Sequence, residues 1–299
     1  LGVATPIGAI SLFRLFAPAA GSVPAIWPRL HAHLQIFGFA GVLIMGVGHH
    51  LILRFAHRPI RRPASAPWVL GLAVLGLGSR IAAPISGGTA ASLLWLSSGI
   101  AETLAFGVFA FWVTTGVRAT EPRFRSDWLM VSGAWWFAAA LAIETAGIGT
   151  AVAAGSNPVA ATPGPGLYAM GLFGGVFGWL LGVAMRVVPM FLTGRTVGRM
   201  GGAVLAGLNG GVLLALLAEG WPAASRPAQI LLALADLGVA AAILAAGVAL
   251  GAWRPQPRQA MALQVDRTET RFFRFAFVCA GVATAGLFVG AFLTLAGVS

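Results

Sequence analysis

Phe37-Gly-Phe-Ala-Gly-Val-Leu-Ile-Met-Gly-Val-Gly-His-His-Leu-Ile-Leu-Arg-Phe55 carries no formal charge before Arg54. Extended to residues 32–53, the stretch is long enough to cross a hydrocarbon core of about 30 Å as a helix. Seven further runs pass the same test: 66–86, 88–116, 128–153, 165–192, 200–219, 227–251 and 275–298. Barrel strands would alternate in polarity over roughly ten residues. These runs are apolar on every face, so helices are the expected solution. The whole composition agrees: of 299 residues, 58% are hydrophobic and 9% charged, against about a quarter charged in soluble domains. Collagen, coiled coil, disulfide scaffold and disordered polymer are excluded. The lone Cys279 can form neither an intramolecular disulfide nor a cysteine-based metal cluster.

The expected fold class is therefore all-α, a polytopic transmembrane helical bundle of eight spans forming a single integral membrane domain over residues 1–299. An N-terminal apolar segment, 1–27, precedes the spans. Within it Ile7–Ala20 contains Arg14 and is punctuated by Pro6, Pro18 and Pro24. It reads as a short first helix, a re-entrant segment or an interfacial helix. It has neither the basic start nor the small-residue cleavage site of a signal peptide. The chain opens on Leu1 rather than Met, which leaves room for residues ahead of it.

All nineteen basic residues are arginine, and they give a formal charge of +11. The excess sits between apolar runs, which points to membrane orientation and lipid contact rather than to nucleic acid. Fourteen of the arginines fall in alternate connections: Arg54, Arg58, Arg61 and Arg62; Arg118, Arg123 and Arg125; Arg195 and Arg199; Arg254, Arg258, Arg267, Arg271 and Arg274. The positive-inside rule makes that side cytoplasmic.

The opening stretch also resembles a later one, Phe173-Gly-Gly-Val-Phe-Gly-Trp-Leu-Leu-Gly-Val-Ala-Met-Arg-Val-Val-Pro-Met-Phe191, at a constant offset and without a gap. Phe37/Phe173, Gly38/Gly174, Gly46/Gly182, Val47/Val183 and Phe55/Phe191 are identical. Helices 31–55 and 167–191 would then form a parallel internal repeat about an axis along the membrane normal. Gly174, Gly178 and Gly182 recur every fourth residue, which permits close approach of a neighbouring helix.

All five histidines, His31, His33, His49, His50 and His57, cluster in and around the first span. His31 and His33 mark one end of it and His49 and His50 the other. At a rise of 1.5 Å per residue, His33 and His49 stand about 24 Å apart, so they cannot share one metal or haem within one helix. Imidazole is a common metal and haem ligand, and polar groups at a membrane boundary are costly without a partner. His31 and His33 are candidate ligands for copper or haem, or are interfacial residues bonded to headgroups and loop carbonyls. His49 and His50 are candidate cofactor ligands, or belong with His57 to a cationic collar for anionic lipid. A second axial ligand would come from Met170, near the depth of His33, from Met185, the repeat counterpart of His49, or from a second chain. Both methionines are equally readable as packing.

Other ionisable residues within spans are Arg80, Glu102, Glu144, Arg186 and Asp236. Helix direction places Arg80, Glu144 and Asp236 near the level of His33, and Glu102 near the midplane. Arg80 is a candidate for a haem propionate or for a carboxylate, Glu144 or Asp236. Glu102 is a candidate proton carrier. Tyr168 and the ten tryptophans read mainly as interfacial anchors.

Arg29-Leu-His-Ala-His-Leu-Gln-Ile-Phe-Gly-Phe, followed by Gly46-Val-Gly-His-His and Arg54-Phe, resembles the NnrS family of haem- and copper-containing membrane proteins. It is also similar to the second helix of heme-copper oxidase and nitric-oxide-reductase catalytic subunits. Gly182-Val-Ala-Met-Arg-Val-Val-Pro-Met-Phe-Leu-Thr-Gly-Arg195 looks like a second NnrS-type signature. The resemblance is confined to these stretches, and the remaining spans match only as hydrophobic helices. It implies haem b, copper, a place in a bacterial inner membrane, and a role in nitric-oxide metabolism or a respiratory assembly. Two features depart from it: relatives tend to be longer, with further histidines in later helices, where Met170, Met185 and Leu192 stand here. The trio of later-helix histidines that holds copper in the oxidases is absent, which argues against a binuclear reduction centre.

Three functions are compatible with these residues. The first is haem b binding, with or without copper, for electron transfer or capture of NO or another small ligand. The second is a cofactor-free structural subunit of a larger membrane complex or homo-oligomer. The third is a transporter with Glu102, Arg186 and Asp236 along its path. The orientation is checked by single cysteines in a Cys279→Ser background. Ser156→Cys and Ser225→Cys should react with a membrane-impermeant thiol reagent on intact cells, and Ser65→Cys should not; the opposite pattern reverses the assignment.

Overall fold

The computed structural model describes residues 26–55, 65–119, 124–159, 165–189, 199–251 and 267–296. They form α1 (Ile26–Phe55), α2 (Ala66–Ile85), α3 (Gly88–Arg118), α4 (Asp127–Ala153), α5 (Gly166–Val188), α6 (Met200–Ala218), α7 (Arg226–Ala249) and α8 (Arg267–Ala296). All eight are long and apolar enough to cross a membrane, α8 through Val278–Ala296. No strand occurs among the described residues. The chain is an all-α, multi-pass membrane bundle. Residues 1–25 of the N-terminal segment lie outside the described residues, as does His57.

The helix ends follow local chemistry. Pro67 sits in the first turn of α2, where its missing N–H costs nothing. A 3₁₀ turn, Ala83–Ile85, closes α2, and α3 starts at Gly88, whose φ of +56° is a left-handed conformation that glycine adopts without strain. Connections this short leave neighbouring helices antiparallel. Gly155, at φ +64°, ends α4, with Ser156 N–H donating to the Ala151 carbonyl at 2.9 Å. Ser225 caps α7 by accepting from Ala228 N–H at 3.4 Å, and Pro227 follows it.

Two compact units divide the chain: residues 1–120 with 134–176, and residues 121–133 with 177–299. In the first, α2 packs along α3, and α1 packs on α3. Phe37, Phe106 and Phe137, from α1, α3 and α4, meet edge-on or tilted at centroid distances of 5.2–6.2 Å. In the second, α7 packs against both α6 and α8. The α8 span keeps most of its surface exposed, as suits contact with lipid.

Both α1 and α5 contain a π-helical stretch, Leu34–Gly41 and Met170–Phe177. Their first and last residues are related by the same offset that pairs Phe37 with Phe173 in the sequence repeat. The α-helical part of α2 ends at Ala82 and α6 ends at Ala218, two positions that the offset also pairs. Such bulges widen a helix within one turn and recur at functional sites.

Glycines set the close contacts. A Cβ on Gly174 would stand 2.6 Å from Trp136, and one on Gly182 2.7 Å from Met130. The glycine row of α5 therefore faces α4, as small-residue rows allow. On α6, a Cβ at Gly211 would lie 2.7 Å from the Ala235 carbonyl oxygen of α7, whereas one at Gly210 meets nothing within 4 Å. Backbone cannot yield as a side-chain tip can. Gly211→Ala should cost about 1–3 kcal/mol and lower the Tm in detergent, while Gly210→Ala should hold or raise it.

Candidate functional site

Within the first unit four helices converge on one buried group of charges. Arg80 from α2, Glu102 from α3, Glu144 from α4 and His33 from α1 are each 4% exposed or less. Arg80 Nε donates to Ser98 Oγ at 2.9 Å and to Glu102 Oε1 at 3.2 Å, and Nη1 donates to Glu144 Oε1 at 2.8 Å. Ser98 Oγ in turn donates to Glu102 Oε1 at 2.7 Å. His33 Nε2 lies 2.6 Å from Glu102 Oε2, and Nδ1 lies 3.4 Å from Glu144 Oε2. The guanidinium also stands 5.3 Å from the Trp95 ring centroid, a cation–π distance.

Local sequence explains each placement. Ser98 and Glu102 are one turn apart on α3 and share a face. Gly76, one turn before Arg80, lies so close to Glu102 that a Cβ would come within 2.5 Å of its Cγ. Gly99 does the same for Thr145, the neighbour of Glu144, at 2.6 Å. His33 closes the α-helical start of α1, and its ring stacks tilted on Phe37 at 4.7 Å as the π-helical stretch begins.

The expected Arg80–Glu144 partnership is present, and Asp236 belongs to the other unit. Glu102, expected near the midplane, and His33, expected near one end of its span, meet at 2.6 Å. Arg186 pairs with Asp127 at 3.6 Å, with its guanidinium 4.0 Å from the Phe124 ring centroid, in the second unit. Neither Ser98 nor Asp127 stood out in the sequence. Ser98 was recognisable only as the residue one turn before Glu102, and Asp127 only as an acid opening a helix after Arg123 and Arg125.

The histidines separate. His31 is partly exposed and His33 buried on the continuous first turns of α1, so they face different ways. Both ring nitrogens of His33 face carboxylates that Arg80 already engages, and this donor set does not fit copper shared by His31 and His33. Among the described residues no group of three or more His, Cys, Asp or Glu is arranged to hold a metal ion. Arg80 is engaged through Nε and Nη1 by Ser98, Glu102 and Glu144.

At the opposite end of α1, His50 is exposed and His49 turns inward. His49 Nδ1 donates to the Met45 carbonyl at 2.6 Å, and the ring stacks on Trp112 at 4.6 Å and approaches Phe109 at 5.3 Å. Its Nε2 is shielded from solvent and has no hydrogen-bond partner among the described residues. Met170 and Met185 are both buried, in the first and second units respectively.

Removing one partner from a buried ion pair costs about 3–5 kcal/mol, because the other charge is left uncompensated. Arg80→Leu should therefore collapse the folded yield and Tm in detergent. Adding Glu144→Gln, which lowers the uncompensated charge by one, should recover part of both. Comparison with protein-family models, with curated proteins and with solved structures finds no match to this chain.

Proposed function

We propose that this protein is a haem b-binding protein of a bacterial inner membrane, with its arginine-rich connections on the cytoplasmic side. Its role would be electron transfer or the binding of nitric oxide or another small ligand. The observation that supports it best is His49. With Nδ1–H given to the Met45 carbonyl, the lone pair sits on Nε2, enclosed and without a hydrogen-bond partner among the described residues. A ring nitrogen fixed by a hydrogen bond from its companion is how proteins orient an imidazole ligand. Trp112 and Phe109 hold the ring plane. The resemblance of the α1 sequence to NnrS proteins points to the same chemistry.

His49 would hold the iron, and a haem with one imidazole ligand keeps a coordination position for a small molecule. What the chain itself contributes is orientation of the imidazole and an apolar, aromatic surround. The test is a dithionite-reduced minus oxidised spectrum of detergent-purified protein, with a pyridine haemochrome assay for stoichiometry. A stoichiometric b-type signal is expected in the wild type and in His50→Ala, with loss in His49→Ala. Absence of haem from the wild type, or its full retention in His49→Ala, overturns the proposal.

A further inference from the structure

The charges around His33 do not balance unless the cluster holds one extra proton. Two carboxylates and one guanidinium sum to −1. Burying that net charge away from water is costly. An imidazolium at His33 brings the sum to zero.

The geometry suits the same species. Nε2 and Nδ1 each face a carboxylate oxygen, at 2.6 and 3.4 Å. A neutral imidazole has one N–H and would turn a lone pair toward one of those oxygens, whereas the cation donates from both nitrogens. We propose that His33, Glu102, Glu144 and Arg80 form a proton-binding site within the membrane-spanning bundle, with His33 as the seat of one exchangeable proton.

The groups that face the site come from every helix packed around it. Arg80 faces it from α2, Glu102 and Ser98 from α3, and Glu144 from α4. Tyr168 of α5 is within electrostatic reach of Glu144, Arg80 and Arg29, and Arg29 sits one turn before His33 and donates to the Val159 carbonyl at 2.6 Å. Ser98, Tyr168 and Arg29 do not change the balance, since the hydroxyls are neutral and Arg29 is already satisfied at the end of the helix.

Arg80 Nη2 and Glu144 Oε2 are buried without a hydrogen-bond partner among the described residues. The His33–Glu144 contact is also the longer of the two, so Nδ1 is the looser donor. Release gives the Nδ1 proton up to water. It leaves a neutral imidazole bonded to Glu102 through Nε2–H, and a cluster of charge −1. Uptake reverses each step. Nothing is oxidised or reduced, and the site stands whether or not His49 carries haem.

The charge count can be tested directly. Solid-state ¹⁵N spectra of histidine-labelled protein in lipid report whether each ring nitrogen carries hydrogen, and His33→Gln identifies the His33 signals. At neutral pH the wild type should show both His33 nitrogens protonated. Glu102→Gln and Glu144→Gln each remove one negative charge without changing shape, so in either the His33 ring should become neutral. An indicator dye should record about one proton released per chain on an alkaline pH jump, absent in His33→Gln.

A neutral His33 in the wild type overturns the proposal. So does an imidazolium that persists in both glutamine variants, or a wild type that releases no His33-dependent proton before it unfolds. If one glutamine variant fails to fold, the other and the wild-type spectrum still decide.

Discussion

The buried guanidinium of Arg80 is the constraint on which the first unit is organised. A cation enclosed among apolar helices needs counter-charges and acceptors at fixed positions, since water cannot supply them. Glu102 and Glu144 meet that need from two different helices, and His33 reaches both from a third. The cluster thereby fixes the rotation of α1, α2, α3 and α4 about their own axes. Apolar packing in a membrane is a weak guide to rotation, because lipid chains are as apolar as the side chains they replace. Gly76 and Gly99 belong to the same device, since without their bare backbones the three acidic and basic helices could not approach closely enough.

The two halves of the chain share helix landmarks at one offset and differ in charge. The π-helical stretches fall at one constant offset, and the ends of α2 and α6 obey it too. At that same offset, however, His33, Arg80, Glu102 and Glu144 correspond to Ala169, Leu216, Gly238 and Ala280. The His33–Arg80–Glu102–Glu144 cluster therefore belongs to one half alone. In the other, α6 and α7 approach through Gly207, Gly211 and Gly238, and the buried pair is Arg186 with Asp127.

The two ends of α1 have different chemistry because their histidines meet different neighbours. His33 faces two carboxylates. His49 faces aromatic rings and a backbone carbonyl, which leaves a lone pair unused. One residue type thus meets two unlike surroundings about 24 Å apart along one helix.

Hydropathy alone determined the eight spans, because a membrane helix must satisfy its backbone internally and present apolar residues over a fixed length. The π-helical stretches match the sequence repeat in offset, but their bulged backbone is invisible in residue type. Helix direction was enough to bring Arg80, Glu144 and His33 to one level, since depth is a count of residues multiplied by a rise. Rotation about the helix axis was not legible in the same way. Runs apolar on every face carry no amphipathic stripe to show which side turns inward. Tertiary packing decided that His33 turns into the carboxylates while His31 does not, that Glu102 joins the cluster, and that His49 rather than His50 is enclosed. Those choices depend on which glycine, serine or ring a neighbouring helix presents at the contact, and that information lies outside any single span.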